Sequence, residues 1–238
     1  MIRKRTIKLN WKYALGEVVL IFLGISLAVG FQNWNQTRID GNKEEVILNA
    51  LKTNLDFFIQ ELETKNKDEK LKINDLKSFL NDKMLNSILM NEKIDSIFWT
   101  AVYAMDVTTP TFLTYYELKN GGQINFIENQ SIKEKLMQLE AFIDENENTM
   151  ADRLVIQQNL IDSYLVDKVD APYFISKYEG LNVTGNSADH DIKNLVSDPK
   201  LRSRLSYKLA LSVDHVKDVN ELLNFCRSLV LEIDNDLN

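Results

Sequence analysis

The longest apolar run of the chain lies near its N-terminus. The stretch from Val18 to Phe31 contains one polar side chain, and continuing back to Tyr13 gives about nineteen residues with a single carboxylate, Glu17. A bilayer core of about 30 Å is crossed by about twenty helical residues. The pattern therefore predicts a transmembrane helix over residues 13–35.

Two other interpretations of this run stay open. A cleaved signal peptide also has a basic start and an apolar run ending in small residues such as Ala28–Gly30, and a core helix of a soluble protein is also apolar. A glutamate at position 17 is unusual in a signal peptide. Aromatic residues flank the run, with Trp11 and Tyr13 before it and Trp34 after it, as at the two faces of a membrane. These features favour an uncleaved anchor.

Positive charge is concentrated ahead of the run. The first twelve residues carry five basic side chains and no acid, whereas Arg38 is the one basic residue shortly after the run. The positive-inside rule then predicts a cytoplasmic N-terminus and an outer, periplasmic C-terminal part. The whole chain has a formal charge of −7, so without those five charges the remainder carries −12. Such an acidic surface argues against nucleic acid as a partner.

Small and polar residues of the span share one helical stripe. Glu17, Ile21, Gly24, Ala28 and Gln32 follow each other at steps of three or four residues. The small pair, four residues apart, lets two backbones approach, and the polar ends can hydrogen-bond across the contact. The stripe predicts homo-oligomerisation of the span. Two alternatives for Glu17 stay open, a position at the headgroup level without a partner and a proton- or ion-linked role.

Beyond the span the apolar positions repeat with a helical period. A polar joint is predicted over 36–45, where Gly41 is the breaker. An apolar seam of helical spacing follows at Leu48, Leu51, Leu55, Phe58 and Leu62. The charged stretch Thr64–Lys72 interrupts this seam before it resumes, and it is interpreted as a solvated part of the same helix.

Two later helices carry start signals. Ser131 and Glu134 have the spacing of a capping box at the head of a long helix, and Asp198 followed by Pro199 predicts the start of the last helix. A heptad seam follows in that last helix. Its members are Val216, Val219, Leu223, Cys226, Val230, Ile233 and Leu237.

The predicted fold is therefore all-α, with one N-terminal transmembrane helix followed by an extramembrane bundle of long helices with coiled-coil-like seams. Few glycines and prolines, 8 and 3 in 238 residues, agree with long helices. The predicted divisions are a basic cytoplasmic stub over 1–12, the span over 13–35, the joint over 36–45 and a helical periplasmic domain over 46–238.

Two motifs resemble an uncharacterised family of bacterial single-span membrane proteins, a domain of unknown function. The resemblance of YALGEVVLIFLGISLAVGFQNWNQTR is carried by Tyr13, Ala14, Gly16, Glu17, Leu20, Gly24, Ile25, Ala28, Asn33, Trp34 and Asn35. A second, less specific match in TTPTFLTYYELKNGGQINFI is carried by Thr114, Tyr115, Glu117, Leu118 and Gly122. The resemblance implies a bacterial inner (cytoplasmic) membrane protein and no activity.

Signals for catalysis are few. The sequence has no phosphate-binding glycine loop, nucleophile elbow or zinc-protease motif. The one cysteine, Cys226, falls on an apolar stripe and is predicted to be a buried thiol. Tyr115, Tyr116 and Tyr173, the last in a loop predicted over 170–190, form a possible ligand or partner site, although packing of the loop on the bundle explains them as well. No catalytic residue, cofactor or metal site is predicted.

The sequence thus predicts a non-enzymatic, membrane-anchored helical scaffold that self-associates. Its predicted partners are the lipid bilayer, further copies of the chain and possible other membrane or periplasmic proteins. The alternatives are an extracytoplasmic sensor subunit for a small ligand and an oligomeric, pore-type effector that perturbs membranes.

Overall fold

The computed structural model describes residues 11–91, 93–105, 112–176, 183–185 and 191–238. Every regular element in these ranges is helical, as predicted. The α-helices are α1 (Trp11–Leu80), α2 (Asp82–Leu89), α3 (Ile94–Phe98), α4 (Leu113–Asn120), α5 (Gln130–Ile156), α6 (Ser163–Leu165), α7 (Ala171–Ile175), α8 (Ile192–Ser197) and α9 (Pro199–Leu237). Two π-helical turns and one 3-10 turn complete the described elements, at Trp99–Tyr103, Gln157–Asp162 and Gln123–Phe126.

Helix α1 is continuous over 70 residues, a length of about 105 Å at 1.5 Å per residue. The joint predicted over 36–45 is not a break, because the helix passes through it. One glycine inside a helix costs only about 1 kcal/mol relative to alanine. Around Gly41, the Gln36 side chain donates to the carboxylate of Asp40 at 3.0 Å, and Lys43 binds the same carboxylate at 3.3 Å. These local contacts support the helix across the glycine.

Three long helices form the bundle. Lys52 of α1 pairs with Asp234 of α9 near one end, and Arg202 of α9 donates to the carbonyl oxygen of Leu80 at 2.7 Å near the other. Helices α1 and α9 are therefore antiparallel. Helix α9 is also antiparallel to α5, so α1 and α5 run in the same direction. The bundle begins near Glu44, and the first half of α1 extends beyond it.

The interior contains two apolar clusters, one near each end of the bundle. The first core lies at the end from which α1 projects and contains the predicted seam of α1, together with much of the heptad seam of α9. The second core lies at the opposite end and is built around Phe79, Phe98, Leu165, Val196 and Leu205. The seam prediction is confirmed for the first core.

The starts of α9 and α5 differ in how well their sequence signals predict them. Asp198 caps α9, its carboxylate accepting the backbone N–H two residues later at 2.8 Å, and Pro199 occupies the first turn as predicted. The capping box predicted at Ser131 and Glu134 is wrong. Asn129 is the N-cap of α5, and its side-chain oxygen accepts the N–H of Ser131 at 3.0 Å. Asn129 is as good a cap as serine, so the helix starts earlier.

Candidate functional site

The first half of α1 is an exposed apolar rod. Every residue from Leu15 to Trp34 is exposed, and the most apolar window of the helix reaches a mean hydropathy of 2.0. Among the described residues it is the one helix whose length and composition permit a membrane crossing. An apolar surface of this length on a soluble chain requires a lipid or protein cover.

The predicted interface stripe lies open along this rod. Glu17, Ile21, Gly24, Ala28 and Gln32 are all exposed. A Cβ atom built on Gly24 would meet no described atom within 4 Å outside the adjoining backbone of its own helix. In the described part of the chain the stripe is therefore available, and a Cβ atom at Gly24 has open space around it.

The predicted membrane-interface anchors lie at the two ends of the rod. Trp11 and Trp34 are exposed, and the side chain of Tyr13 lies outside the described part of the structure. The guanidinium carbon of Arg38 is 5.9 Å from the ring centroid of Trp34, and the Trp34 ring packs at 5.6 Å against that of Phe31. A tryptophan between an apolar ring and an arginine matches the transition from hydrocarbon to headgroups.

A layer of polar side chains separates the two apolar cores. Glu69 of α1 forms a buried ion pair with Arg153 of α5, whose guanidinium also donates to Ser212 of α9 at 3.2 Å. Asn66 of α1 donates to Asn220 of α9 at 2.8 Å. The layer thus connects all three long helices.

Lys208 of α9 extends this layer toward the second core. Its ammonium donates to the backbone oxygen of Val102 at 2.8 Å, and burial lowers the pKa of Lys208 to about 7. Gln157 donates to the same carbonyl at 3.2 Å. A small cavity beside these groups is also lined by Met105 and Arg153. The buried lysine and glutamine tie the π-helical turn before Ala104 to α9 and to the end of α5.

The interpretation of Thr64–Lys72 as a solvated stretch is wrong for two of its members. Asn66 and Glu69 are buried, whereas the residues beside them on the outer face are exposed. Leu62, Asn66, Glu69 and Ile73 are separated by four, three and four residues, so the seam keeps its helical phase through the charged stretch. This spacing could have predicted that Asn66 and Glu69 are buried, but their polar residue types indicated a solvent-exposed surface.

The three candidate tyrosines belong to different parts of the bundle. Tyr115 is buried in the first core, and its hydroxyl donates to Glu140 at 2.9 Å. Tyr116 is partly buried against the same core. Tyr173 lies on α7, and its hydroxyl donates to Asp95 of α3 at 2.8 Å. In both hydrogen bonds the phenol joins one helix to another.

The remaining candidate groups for chemistry are placed as follows. Cys226 is buried in the first core as predicted, and burial raises the pKa of its thiol to about 12. It is therefore a thiol, not a thiolate nucleophile, near neutral pH. In the described ranges no three histidine, cysteine or acidic side chains are grouped so that they could hold a metal ion.

Comparison of the chain with protein-family models, with curated proteins and with solved structures finds no match. The family resemblance of the N-terminal motif therefore stays a prediction. The fold alone therefore defines the class of protein. In its described residues it is an all-α protein with one helix long and apolar enough to cross a membrane.

Proposed function

We propose that the protein is a non-enzymatic, membrane-anchored helical scaffold whose copies associate through the span. The observation that carries this proposal is the exposed apolar rod from Leu15 to Trp34, which continues without a break into the bundle. A bilayer covers such a rod, and the stripe through Gly24 and Ala28 gives one of its faces to another helix. A rigid rod then holds the bundle at a fixed distance from the membrane.

The buried polar layer supports a structural role for the bundle. Glu69, Arg153 and Lys208 are all enclosed between the long helices, where they bind one another or backbone carbonyls. Polar groups in a helical interior favour one register over others, since every shifted register leaves them without partners. In this proposal the bundle presents surfaces to other molecules, and its interior fixes its shape.

The proposed location is the bacterial inner membrane, with the N-terminus in the cytoplasm and the bundle in the periplasm. The asymmetry of basic residues around the span supports this orientation. A reporter enzyme that is active only in the periplasm, fused after Asn238, is expected to be active. If a cytoplasm-specific reporter is active at that position and the periplasmic reporter is inactive, the orientation is the opposite of the one proposed.

Self-association is tested in a genetic assay for association of the isolated span. Gly24→Ile is expected to weaken association most, because the branched side chain keeps the two backbones apart, and the described chain leaves open space around a Cβ atom at this position. Glu17→Gln keeps the capacity for a hydrogen bond and is expected to preserve most of the signal. Ile25→Leu is the matched control, because position 25 is rotated about 100° from Gly24 and the change keeps the side-chain volume, and it is expected to leave association unchanged. Equal behaviour of Gly24→Ile and Ile25→Leu would refute the stripe.

A further inference from the structure

The second half of α1, within the bundle, exposes four large apolar side chains along one line, with Thr64 and Asp68 also exposed on that line between the last two of them. The exposed fractions of Ile39, Val46, Phe57 and Leu71 are 38%, 68%, 66% and 56%. Successive members are seven, eleven and fourteen residues apart, or about two, three and four helical turns. They therefore share one face of α1, and Leu55 of the core seam projects from the opposite face.

The same line continues into the membrane segment. Ala28 lies eleven residues before Ile39, and Ile21 lies seven residues before Ala28, again about three and two turns. Since α1 is unbroken, these residues remain on one side of a single rod. We name the face formed by Ile21, Ala28, Ile39, Val46, Phe57 and Leu71 the outer stripe.

We propose that a second copy of the chain packs in parallel along the outer stripe, so that the contact between spans continues along the bundle as far as Leu71. This inference rests on the proposed self-association of the spans. Two copies that cross one membrane in the same direction present equal residues at equal heights. When the faces that carry Ile21 and Ala28 meet and the two helices lie nearly parallel, the unbroken helices bring Val46 and Phe57 of one copy opposite the same residues of its partner.

The bilayer itself cannot cover the far part of the outer stripe. Phe57 lies twenty-three residues beyond Trp34, which places it about 35 Å further along the helix. The headgroup region on each side of the hydrocarbon is only about 5–8 Å deep. Phe57 and Leu71 are therefore well outside the lipid, and a cover for these side chains would have to be a protein surface.

The size of the outer stripe fits a stable dimer. From Ile21 to Leu71 the helix rises about 75 Å, and a contact strip about 10 Å wide gives about 750 Å² on each copy. A specific protein interface buries about 800 Å² on each partner. The span alone provides less than half of this length, so the bundle half of the stripe would supply most of that area.

A groove widens the outer stripe where the bundle begins. Ile39, Val46 and Ile47 of α1 form one wall, and Phe126 of the 3-10 turn forms the other. The ammonium of Lys43 lies 4.5 Å from the Phe126 ring centroid and closes one side. The groove is mostly apolar, with Asn42, Lys43 and Gln123 as its polar lining residues, and it lies on the stripe, so it offers a seat for the Ile39 and Val46 side chains of a second copy.

The proposal is tested by cysteine cross-linking of the full chain in membranes. Phe57→Cys and Leu71→Cys are expected to convert most of the chain to disulfide-linked dimer under mild oxidation, because facing positions of parallel helices meet disulfide geometry. Asp56→Cys and Lys70→Cys are matched controls, exposed one residue away and rotated about 100° around the helix. Both controls are expected to stay monomeric. Native Cys226 is buried and does not compete.

A Gly24→Cys variant separates failure of this inference from failure of the proposed function. Dimers at position 24 without dimers at 57 and 71 would overturn the extended contact and leave the span contact standing. Absence of dimers at all three positions would overturn both. Equal cross-linking of Asp56→Cys and Phe57→Cys would show random collision and also overturn the outer stripe, as would a cross-link from position 57 to a different protein alone.

A charge variant provides the second measurement. Phe57→Glu combined with Leu71→Glu puts two carboxylates on an already exposed face, so the thermal unfolding midpoint of the single chain is expected to stay unchanged. The yield of the cross-link at position 24 is expected to fall, since the new carboxylates of the two copies would face and repel each other. An unchanged yield at position 24 together with an unchanged midpoint would contradict a contact at this height.

Discussion

At the scale of single residues, the ion pair between Glu69 and Arg153 is the interaction of the polar layer whose loss is expected to change the free energy of unfolding most. The side chains are only 9% and 6% exposed. Removing one member of such a pair leaves the other charge buried without its partner, at a cost of about 3–5 kcal/mol, whereas replacing both with apolar groups is often close to neutral. The pair therefore contributes more to the choice of register than to net stability.

Arg153→Met is accordingly expected to lower the free energy of unfolding by about 3–5 kcal/mol, and Arg153→Met with Glu69→Leu to recover most of that loss. Denaturant unfolding of the full chain in mild detergent, followed by circular dichroism, measures both. Arg227 of α9 and Glu63 of α1 also pair across two long helices but are each 50% exposed, so Arg227→Met serves as the control. Its expected loss is at most about 1 kcal/mol. A double variant as unstable as Arg153→Met alone would contradict this account.

Lys208 makes stability depend on pH. Burial lowers its pKa from 10.5 to about 7 in the folded chain. Between these two values the unfolded chain holds a proton that the folded chain lacks, so the free energy of unfolding rises as pH rises from about 7 to about 10. Lys208→Met is expected to remove this rise, and Lys70→Met, at an exposed position, to keep it. Equal pH slopes for wild type and Lys208→Met would show that the ammonium is not desolvated.

At the scale of elements, α1 determines the architecture. Some features of α1 could be predicted from the sequence and others could not. The apolar run and the seam from Leu48 to Leu62 followed from hydrophobic spacing, because burial against lipid or a core selects one residue class. The continuity of α1 through Gly41 could not be predicted from the sequence, since a glycine marks a break only where nothing else supports the helix. The burial of Asn66 and Glu69 did not follow from hydrophobic spacing either, because their partners Asn220 and Arg153 lie far away along the chain.

The stiffness of α1 at Gly41 is testable. Spin labels at Asn33→Cys and Thr53→Cys, both exposed, are separated by twenty residues and are expected about 30 Å apart with a narrow distribution. Gly41→Ala meets no atom within 4 Å and is expected to keep this distance. Gly41→Pro removes an N–H and is expected to kink the helix and shorten the distance. A broad distribution in the wild type would mean that the predicted joint behaves as a hinge.

At the scale of the whole molecule, the two halves of α1 differ in what surrounds them. No described residue covers its first half, and its second half supplies one wall of both apolar cores and of the polar layer. The candidate tyrosine site depended on tertiary packing, and sequence could not reveal that Tyr115 serves the first core while Tyr173 reaches α3. That the residues from Glu17 to Gln32 share one helical face was predictable, because spacing within one helix fixes the face, and their role as an interface stays a prediction.

The central claim is that this rod anchors the chain in a membrane and assembles it with further copies. The most direct measurement is the mass of the purified full chain in a mild detergent, corrected for bound detergent. We expect twice the 27.5 kDa of the single chain for the wild type and for Ile25→Leu, and a shift toward the single-chain mass for Gly24→Ile. A wild-type mass of one chain, or a mass that Gly24→Ile leaves unchanged, would contradict the account.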